Sequence, residues 1–252
     1  MRAPDFWWRR ERSAAARLLS PLGALSGALT LARMRRKGVS PGVPVICVGN
    51  PTVGGAGKTP TVIHLARLLA AQGRHPAILT RGYGGSERGP LQVDASLHPA
   101  SRIGDEPLLL ARAAPTWVAR DRIAGAGAAM GEGADILIMD DGFQNPSLAK
   151  TLSILVVDGG VGVGNGLSIP AGPLRAPLWT ALGDLAGLPP ALMFCGTRDT
   201  LAPGCRLLER RAAETDWDLA YVEVGGLIHV YPLLPLVPEA RHAWARTLEF
   251  LR

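Results

Sequence analysis

The residues able to do chemistry fall into a few short clusters. Lys58-Thr59 follows the loop Thr52-Val53-Gly54-Gly55-Ala56-Gly57. Glycines in such a loop let backbone N–H groups close on an anion, with help from the helix N-terminus that follows. Lys58 would then reach the β- and γ-phosphates of a nucleotide, and the Thr59 hydroxyl would ligate Mg²⁺. The strict spacing G-x-x-x-x-G-K-[ST] calls for glycine at position 52, where this chain has Thr52. Asp140-Asp141 closes the apolar run 134–139, and one of the two would be the companion acid that holds Mg²⁺ directly or through water. Asp105, in Gly104-Asp105-Glu106-Pro107, is either a helix N-cap or a carboxylate available for proton transfer.

These clusters need elements to hold them. Val45–Val48 is a short β-branched apolar run, and the helical periodicity after the loop covers 62–71, so strand, loop and helix arrive in phosphate-loop order. Further strands are expected at 76–80, 116–119, 134–139 and 152–158, and helices at 105–113 and 122–130. Strands alternating with helices imply an α/β fold: a P-loop, doubly wound, mostly parallel sheet. In such a sheet the loop Arg81-Gly82-Tyr83-Gly84-Gly85, at the end of its strand, belongs on the binding edge.

Composition narrows the partners. All but three of the 27 Lys and Arg residues are Arg, and the net charge is +6. That points to anionic partners and to planar contacts with phosphate or carboxylate. Nucleic acid is not expected, because basic and aromatic residues do not interleave. Cys47, Cys195 and Cys205 form no C-x-x-C pair, which excludes a zinc or disulfide framework from the reading. Residues 18–32 are an uncharged, mostly apolar stretch of 15, flanked by Phe6-Trp7-Trp8 and by Arg33-Met34-Arg35-Arg36-Lys37. That is short of the roughly 20 residues that span a bilayer. It suits a helix lying in an anionic membrane interface, or one packed on its own domain.

Phe6-Trp7 and the motifs PVICVGN, TVGGAGKTP, TRGYGG, GDEP, Arg120-Asp121-Arg122, DDGFQ, VVDGG, GNG and PAGPLRAP run in order over roughly residues 4–178. In them the chain resembles the tetraacyldisaccharide 4'-kinases of the lipid A pathway. The resemblance implies ATP and Mg²⁺ as cofactors. It implies a lipid A disaccharide precursor as acceptor, at the cytoplasmic face of a Gram-negative inner membrane. Carried residue by residue, it places the base at Asp105, substrate contacts at Arg81, Tyr83, Arg120, Asn165 and Arg175, and catalytic roles at Lys58 and Asp141. Metal contacts fall to Thr59 and Asp140. Asn145 stands where the family usually has His.

The organisation this implies is a membrane-associating segment at 1–37, a P-loop kinase domain at 38–180 and an atypical α/β tail at 181–252. The family's second lobe, with its Asp-His-His motif, is not visible in the tail. The order strand, Asp199, helix, strand, His229, helix there resembles the end of an esterase-type α/β-hydrolase. No G-x-S-x-G exists to supply a nucleophile, so no esterase activity is expected. A P-loop ATPase without lipid chemistry is the alternative reading.

Overall fold

In the computed structural model, eight strands form one sheet in the order β3-β4-β2-β5-β1-β6-β7-β8. The described residues are 3–9, 11–54, 57–156, 163–176, 190–197, 202–215, 217–227, 232 and 238–250. The strands are β1 (Val45–Gly49), β2 (Pro76–Thr80), β3 (Leu91–Gln92), β4 (Thr116–Val118), β5 (Ile136–Asp140), β6 (Leu152–Leu155), β7 (Ala191–Gly196) and β8 (Leu219–Val224). Every pairing is parallel except β3 with β4.

The helices are α1 (Ala14–Met34), α2 (Lys58–Ala71), α3 (Ala100–Ile103), α4 (Asp105–Leu110), α5 (Arg122–Gly131), α6 (Ala202–Glu214) and α7 (Pro238–Phe250). Strands β1, β2 and β5 are buried along their whole length, so they read as continuous apolar runs. Alternation decides which layer each residue joins. Ile46 and Val48 pack with Val62, Leu65 and Leu69 of α2 and with Trp244 of α7. Val45 and Cys47 point the other way, toward Ala126 and Ala129 of α5.

Strand order fixes where a ligand can sit. The chain leaves β1 for β2, skipping a place, and later returns β5 between them, while β6 goes to the opposite side of β1. Parallel pairing puts the C-terminal ends of β1, β2, β4, β5 and β6 on one edge. Binding crevices of open α/β sheets form there, where the order switches.

Several boundaries differ from the periodicity. Helix α2 starts at Lys58, because Gly57 (φ 85°) turns the chain straight into the helix. Pro60 is tolerated because its missing N–H falls in the first turn, where helical donors have no partner anyway. Helix α4 ends at Leu110, and the polar stretch before it contains the short α3. Helix α1 is 21 residues, longer than the uncharged stretch, since Ser13 caps it by accepting from the Ala16 N–H at 3.1 Å and Arg33 closes its last turn. It is long and apolar enough, by length and composition, to cross a membrane.

The tail joins the same sheet: Ser153 and Ile154 of β6 pair with Ala191 and Leu192 of β7. Asp199 and His229, read as a hydrolase acid and base, lie outside the described residues. Trp244 ties α7 to the centre, donating from Nε1 to the Pro232 carbonyl at 2.6 Å and packing at a 40° tilt against the His64 ring of α2, centroids 4.6 Å apart. Trp244→Ala is therefore expected to cost about 3–5 kcal/mol of unfolding free energy, as for large aromatic deletions from a core. Urea denaturation checks this; a loss below about 1 kcal/mol would mean that α7 is not part of the core.

Candidate active site

At the end of β1, Asn50 is fully buried and organises the glycine loop. Its amide nitrogen donates to the Gly54 carbonyl at 3.2 Å, and its Oδ1 accepts from Lys58 Nζ at 3.0 Å. Thr52 forms an antiparallel bridge with Leu174. The Val53 N–H donates to the Pro173 carbonyl at 2.8 Å, and the Arg175 N–H to the Pro51 carbonyl at 2.8 Å. A residue in such a bridge is extended, which any L side chain accepts. That is why threonine can replace the glycine of the strict pattern. Glycine is needed instead at Gly54 (φ 122°) and Gly57 (φ 85°). Gly55 and Ala56, expected in the cradle, lie outside the described residues. Val53, Gly54, Gly57, Lys58 and Thr59 line a chamber of about 450 Å³.

The acid loop stands opposite. Thr80 Oγ1 donates to Asp140 Oδ2 at 3.2 Å, while Asp140 Oδ1 is buried with no hydrogen-bond partner. Buried Arg122 donates to the Asp140 main-chain oxygen at 3.3 Å. Asp141 takes the left-handed conformation (φ 52°) and accepts from Arg175 at 2.9 and 2.8 Å, with Lys58 Nζ at 3.7 Å. Aspartate is among the few residues that reach this region at modest cost. The loop is pinned from behind by Lys150, which donates to the carbonyls of Phe143 at 3.1 Å and Asn145 at 2.8 Å. Gln144 donates to the Asn50 carbonyl at 3.2 Å, joining acid loop to phosphate loop.

Burial, then the nearby charges of Glu106 and Asp141, push the Asp140 carboxyl up to about 6. A buried carboxylate oxygen without a donor, crowded by other acids, fits a divalent cation. Among the described residues no three carboxylate, histidine or thiol groups converge as a closed cage. Mg²⁺ suits this: it is usually held by one or two carboxylates plus phosphate oxygens and water. To hold such a cation Asp140 would have to be ionised, so protonation would compete below about pH 6. Mg²⁺-nucleotide affinity is expected to fall as pH drops from 7 to 5, approaching tenfold per unit at the acid end. Without metal the sign reverses: ionising Asp140 above pH 6 opposes folding, so the ligand-free protein gains stability as pH falls through 6. Calorimetric titrations across this range check the first statement; a flat profile would remove Asp140 from the metal site.

A second cavity, about 560 Å³, adjoins the first and includes Arg33, Arg81, Arg120, Arg122 and Gln144 in its lining. Tyr83, Glu106, Asp141 and Arg175 line both, so they form the common wall. Asp105, on the first turn of α4, is exposed, has no hydrogen-bond or ion-pair partner among the described residues and lines neither cavity, whereas its neighbour Glu106 lines both. Asp105 is not an N-cap: Gly104 holds that position and no side chain caps the helix. Asn165 does not join the site. It is buried, and its amide donates to the carbonyls of Ala171 at 2.9 Å and Phe6 at 3.4 Å while Oδ1 accepts from the Leu167 N–H at 3.1 Å. With both ends occupied, it is a structural pin between the loop 163–176 and the N-terminus.

Glu106, Asn50, Gln144 and the end of α1 join the site only in the folded structure. Asn50 and Gln144 were legible in principle, as polar residues directly after buried strands. Glu106 was masked by its neighbour, since either acid of Asp105-Glu106 could face the cleft. Asn145 lines the cleft, but its Oδ1 accepts from Ser147 N–H at 2.8 Å and Oγ at 2.7 Å, closing a local turn.

Residues 15–186 match the family described as tetraacyldisaccharide-1-P 4'-kinase (LpxK). A relative named tetraacyldisaccharide 4'-kinase from Methylobacterium sp. (strain 4-46) is 56% identical over 222 residues, covering 84% of this chain and 67% of the relative. One of the same name from Methylorubrum extorquens (strain PA1) is 61% identical over 188 residues, covering 75% and 58%. The chain thus spans between about half and two thirds of the length of the curated relatives it matches. The crystal structure of LpxK from Aquifex aeolicus in complex with ATP shares the fold, with a TM-score of 0.56 at 24% identity over 88% of this chain and 85% of that one. On the extent of the family match and the identity to its relatives, this chain belongs to the tetraacyldisaccharide-1-P 4'-kinase family.

Proposed function

We propose that the protein transfers the γ-phosphoryl group of ATP to the 4'-hydroxyl of a tetraacyl glucosamine disaccharide 1-phosphate. The observation that carries this reading is the pair of chambers sharing one wall. The glycine loop with Lys58 suits a nucleotide triphosphate, and the arginine-rich cavity beyond suits an anionic acceptor. The shared wall of Glu106, Asp141 and Arg175 is where the transferred group would pass.

Phosphoryl transfer asks a protein mainly for positioning and charge stabilisation. The backbone of the glycine loop cradles the β- and γ-phosphates, and Lys58 leaves Asn50 to follow the charge on the γ-oxygens. Bound Mg²⁺ would neutralise phosphate charge, with the Asp140 carboxylate and the Thr59 hydroxyl to hold it. Arg175 balances Asp141 at the wall. Asp105, unpaired, accepts the proton of the 4'-hydroxyl as that oxygen bonds to the γ-phosphorus and the bond to the β–γ bridging oxygen breaks, releasing ADP. Acceptor-stimulated ATP consumption by purified protein tests the reading; ATP turnover indifferent to the disaccharide would leave a simple ATPase.

The same reading places the protein at the cytoplasmic face of an anionic inner membrane, with α1 lying in the interface. Helix α1 turns small residues inward: Gly23 lies so close to Ser168 that a Cβ would meet its carbonyl oxygen at 2.6 Å, and Ser26 Oγ donates to the Ile169 carbonyl. Trp7 Nε1 donates to the Pro170 carbonyl at 3.0 Å. Outward, Leu18, Leu22, Leu25 and Leu29 are 80, 56, 59 and 64% exposed. A helix locked to its own domain on one face and apolar on the other lies in an interface instead of crossing it. The triple substitution Leu22→Ser, Leu25→Ser, Leu29→Ser is expected to move most of the protein from membrane to soluble fractions. High salt should do so in part, by screening the flanking arginines. Unchanged partitioning of the triple variant would contradict an interfacial helix.

A further inference from the structure

Glu87 lines neither chamber, yet four donors converge on its carboxylate. Oε1 accepts from the main-chain N–H groups of Arg88 at 2.9 Å and Gly89 at 3.1 Å. Oε2 accepts from Arg102 Nε at 3.0 Å, with Arg102 Nη2 at 2.9 Å. An exposed ion pair by itself contributes little. Here the same carboxylate also fixes a main-chain turn, and bonds to a charged acceptor are the stronger ones. The Gly89 N–H, Arg102 and the Arg88 N–H hold the Glu87 carboxyl below the usual glutamate range, so the tie is charged at neutral pH.

Three site-bearing segments meet at this carboxylate. The first is its own loop, which carries Arg81 and Tyr83. The second is the stretch 101–106, where Arg102 is followed, across Gly104, by Asp105 and Glu106. These two run main chain against main chain: the Glu87 N–H donates to the Arg102 carbonyl at 2.8 Å, and the Ser86 N–H to the Ser101 carbonyl at 3.3 Å. A Cβ on Gly85 would strike the Arg102 carbonyl oxygen, and one on Gly104 (φ 90°) the Tyr83 carbonyl oxygen. The third segment is the end of β4, where the Arg120 N–H donates to the Arg88 carbonyl at 2.8 Å. Tyr83 and Glu106 line both chambers, and Arg120 lines the larger one. Side chains from three separate stretches of the site thus share one tie on the surface.

Resting on the kinase reading above, we infer that Glu87 is a positioning residue for phosphoryl transfer. It touches no ligand. Through Arg102 and the turn at Arg88-Gly89 it holds Tyr83, Asp105-Glu106 and Arg120 in register with one another. Such register matters because a misplacement of about 1 Å can cost about a hundredfold in rate. The glycine loop hangs from β1 and α2, which do not contribute to the tie, so nucleotide binding is separate from it.

Steady-state kinetics of the full chain with Mg²⁺-ATP and the lipid disaccharide, read beside melting curves, test this. Glu87→Ala is expected to lower kcat about ten- to a hundredfold with KM for ATP within about twofold of the parent. Glu87→Gln still accepts from the two main-chain N–H groups and should recover part of the loss. Arg102→Ala removes one arm of the tie and should show a milder form of the same kcat loss, which also serves if Glu87→Ala does not fold. Arg74→Ala is the control: it breaks a similar exposed pair, with Asp135 at 2.9 Å, before β2 and β5 at the opposite end of the sheet, and should leave kcat unchanged. Parental kcat in folded Glu87→Ala overturns the inference, as does an equal loss in Arg74→Ala or a loss that appears only in KM for ATP. Amide hydrogen exchange reads the tie without turnover. In ligand-free Glu87→Ala, exchange should quicken in 82–89, 101–106 and 118–120 together and stay parental in β1 and α2; quickening confined to 82–89 overturns the inference. A parent that phosphorylated no acceptor would sink the kinase reading, and the exchange pattern would still decide whether Glu87 holds the three segments.

Discussion

Lys58→Ala is expected to lower acceptor phosphorylation by about a hundredfold to a thousandfold or more, with little change in fold. Among the described residues, the lysine is the side-chain cation of the glycine-loop chamber that can follow charge on the γ-phosphate, since Arg175 is already engaged by Asp141. Removing a preorganised charge that acts on the transition state costs several kcal/mol of barrier. The structural cost is small by comparison. Lys58 makes one hydrogen bond, to Asn50, and a 3.7 Å ion pair with an Asp141 that keeps Arg175. A single such hydrogen bond contributes about 1 kcal/mol. Lys58→Arg should not rescue, because a planar fork cannot replace a compact ammonium where the loop backbone already surrounds the phosphates. Stopped assays with labelled ATP, read beside a melting curve, check this. Parental turnover in a folded Lys58→Ala protein would remove the glycine loop from the reaction.

Asp105→Asn is expected to abolish nearly all phosphorylation, by about two to four orders of magnitude, while ATP binding persists. A sugar hydroxyl is a weak nucleophile until a positioned group takes its proton. The other acids are poorly placed for this: Asp140 is buried beneath Thr80 and fits the metal, and Asp141 is clamped by Arg175 and Lys58. Asp105 is exposed on the first turn of α4, next in sequence to Glu106 of the shared wall, and has no partner among the described residues. Asparagine keeps its size, and because Asp105 caps nothing, stability should fall only by the few tenths of a kcal/mol due to a charge in a helix's first turn. Glu106 is the neighbour that could stand in, since it lines both chambers. Comparing Asp105→Asn with Glu106→Gln in single-turnover assays separates them. If only Glu106→Gln lost the chemical step, the base would be Glu106.

What the sequence made legible follows from how local each determinant is. The phosphate loop, the acid pair and the parallel sheet are each written in contiguous residues: a β-branched run, glycines, Lys-Thr, then helical periodicity. Thr52 read as a departure because its acceptability depends on a bridge to Leu174, more than a hundred residues away. Asn165 read as a ligand because a buried amide pin and a substrate contact look alike until their partners are known. Arg33 was hidden for a similar reason: the apolar period of α1 shows an amphiphilic surface, and its docking on the distant loop 163–176, through Gly23 and Ser26, is not written locally. The tail's strands were legible, but their place beside β6 was not, because parallel pairing leaves no short hairpin signal.

The most direct test of the central claim follows the γ-phosphate itself. The full chain is incubated with Mg²⁺, γ-labelled ATP and tetraacyl disaccharide 1-phosphate in neutral micelles, and the label is located in the products. The shared wall between the two chambers predicts label on the 4'-oxygen of the disaccharide, in step with the ADP formed. Label released only as inorganic phosphate, with the disaccharide unchanged, would contradict it.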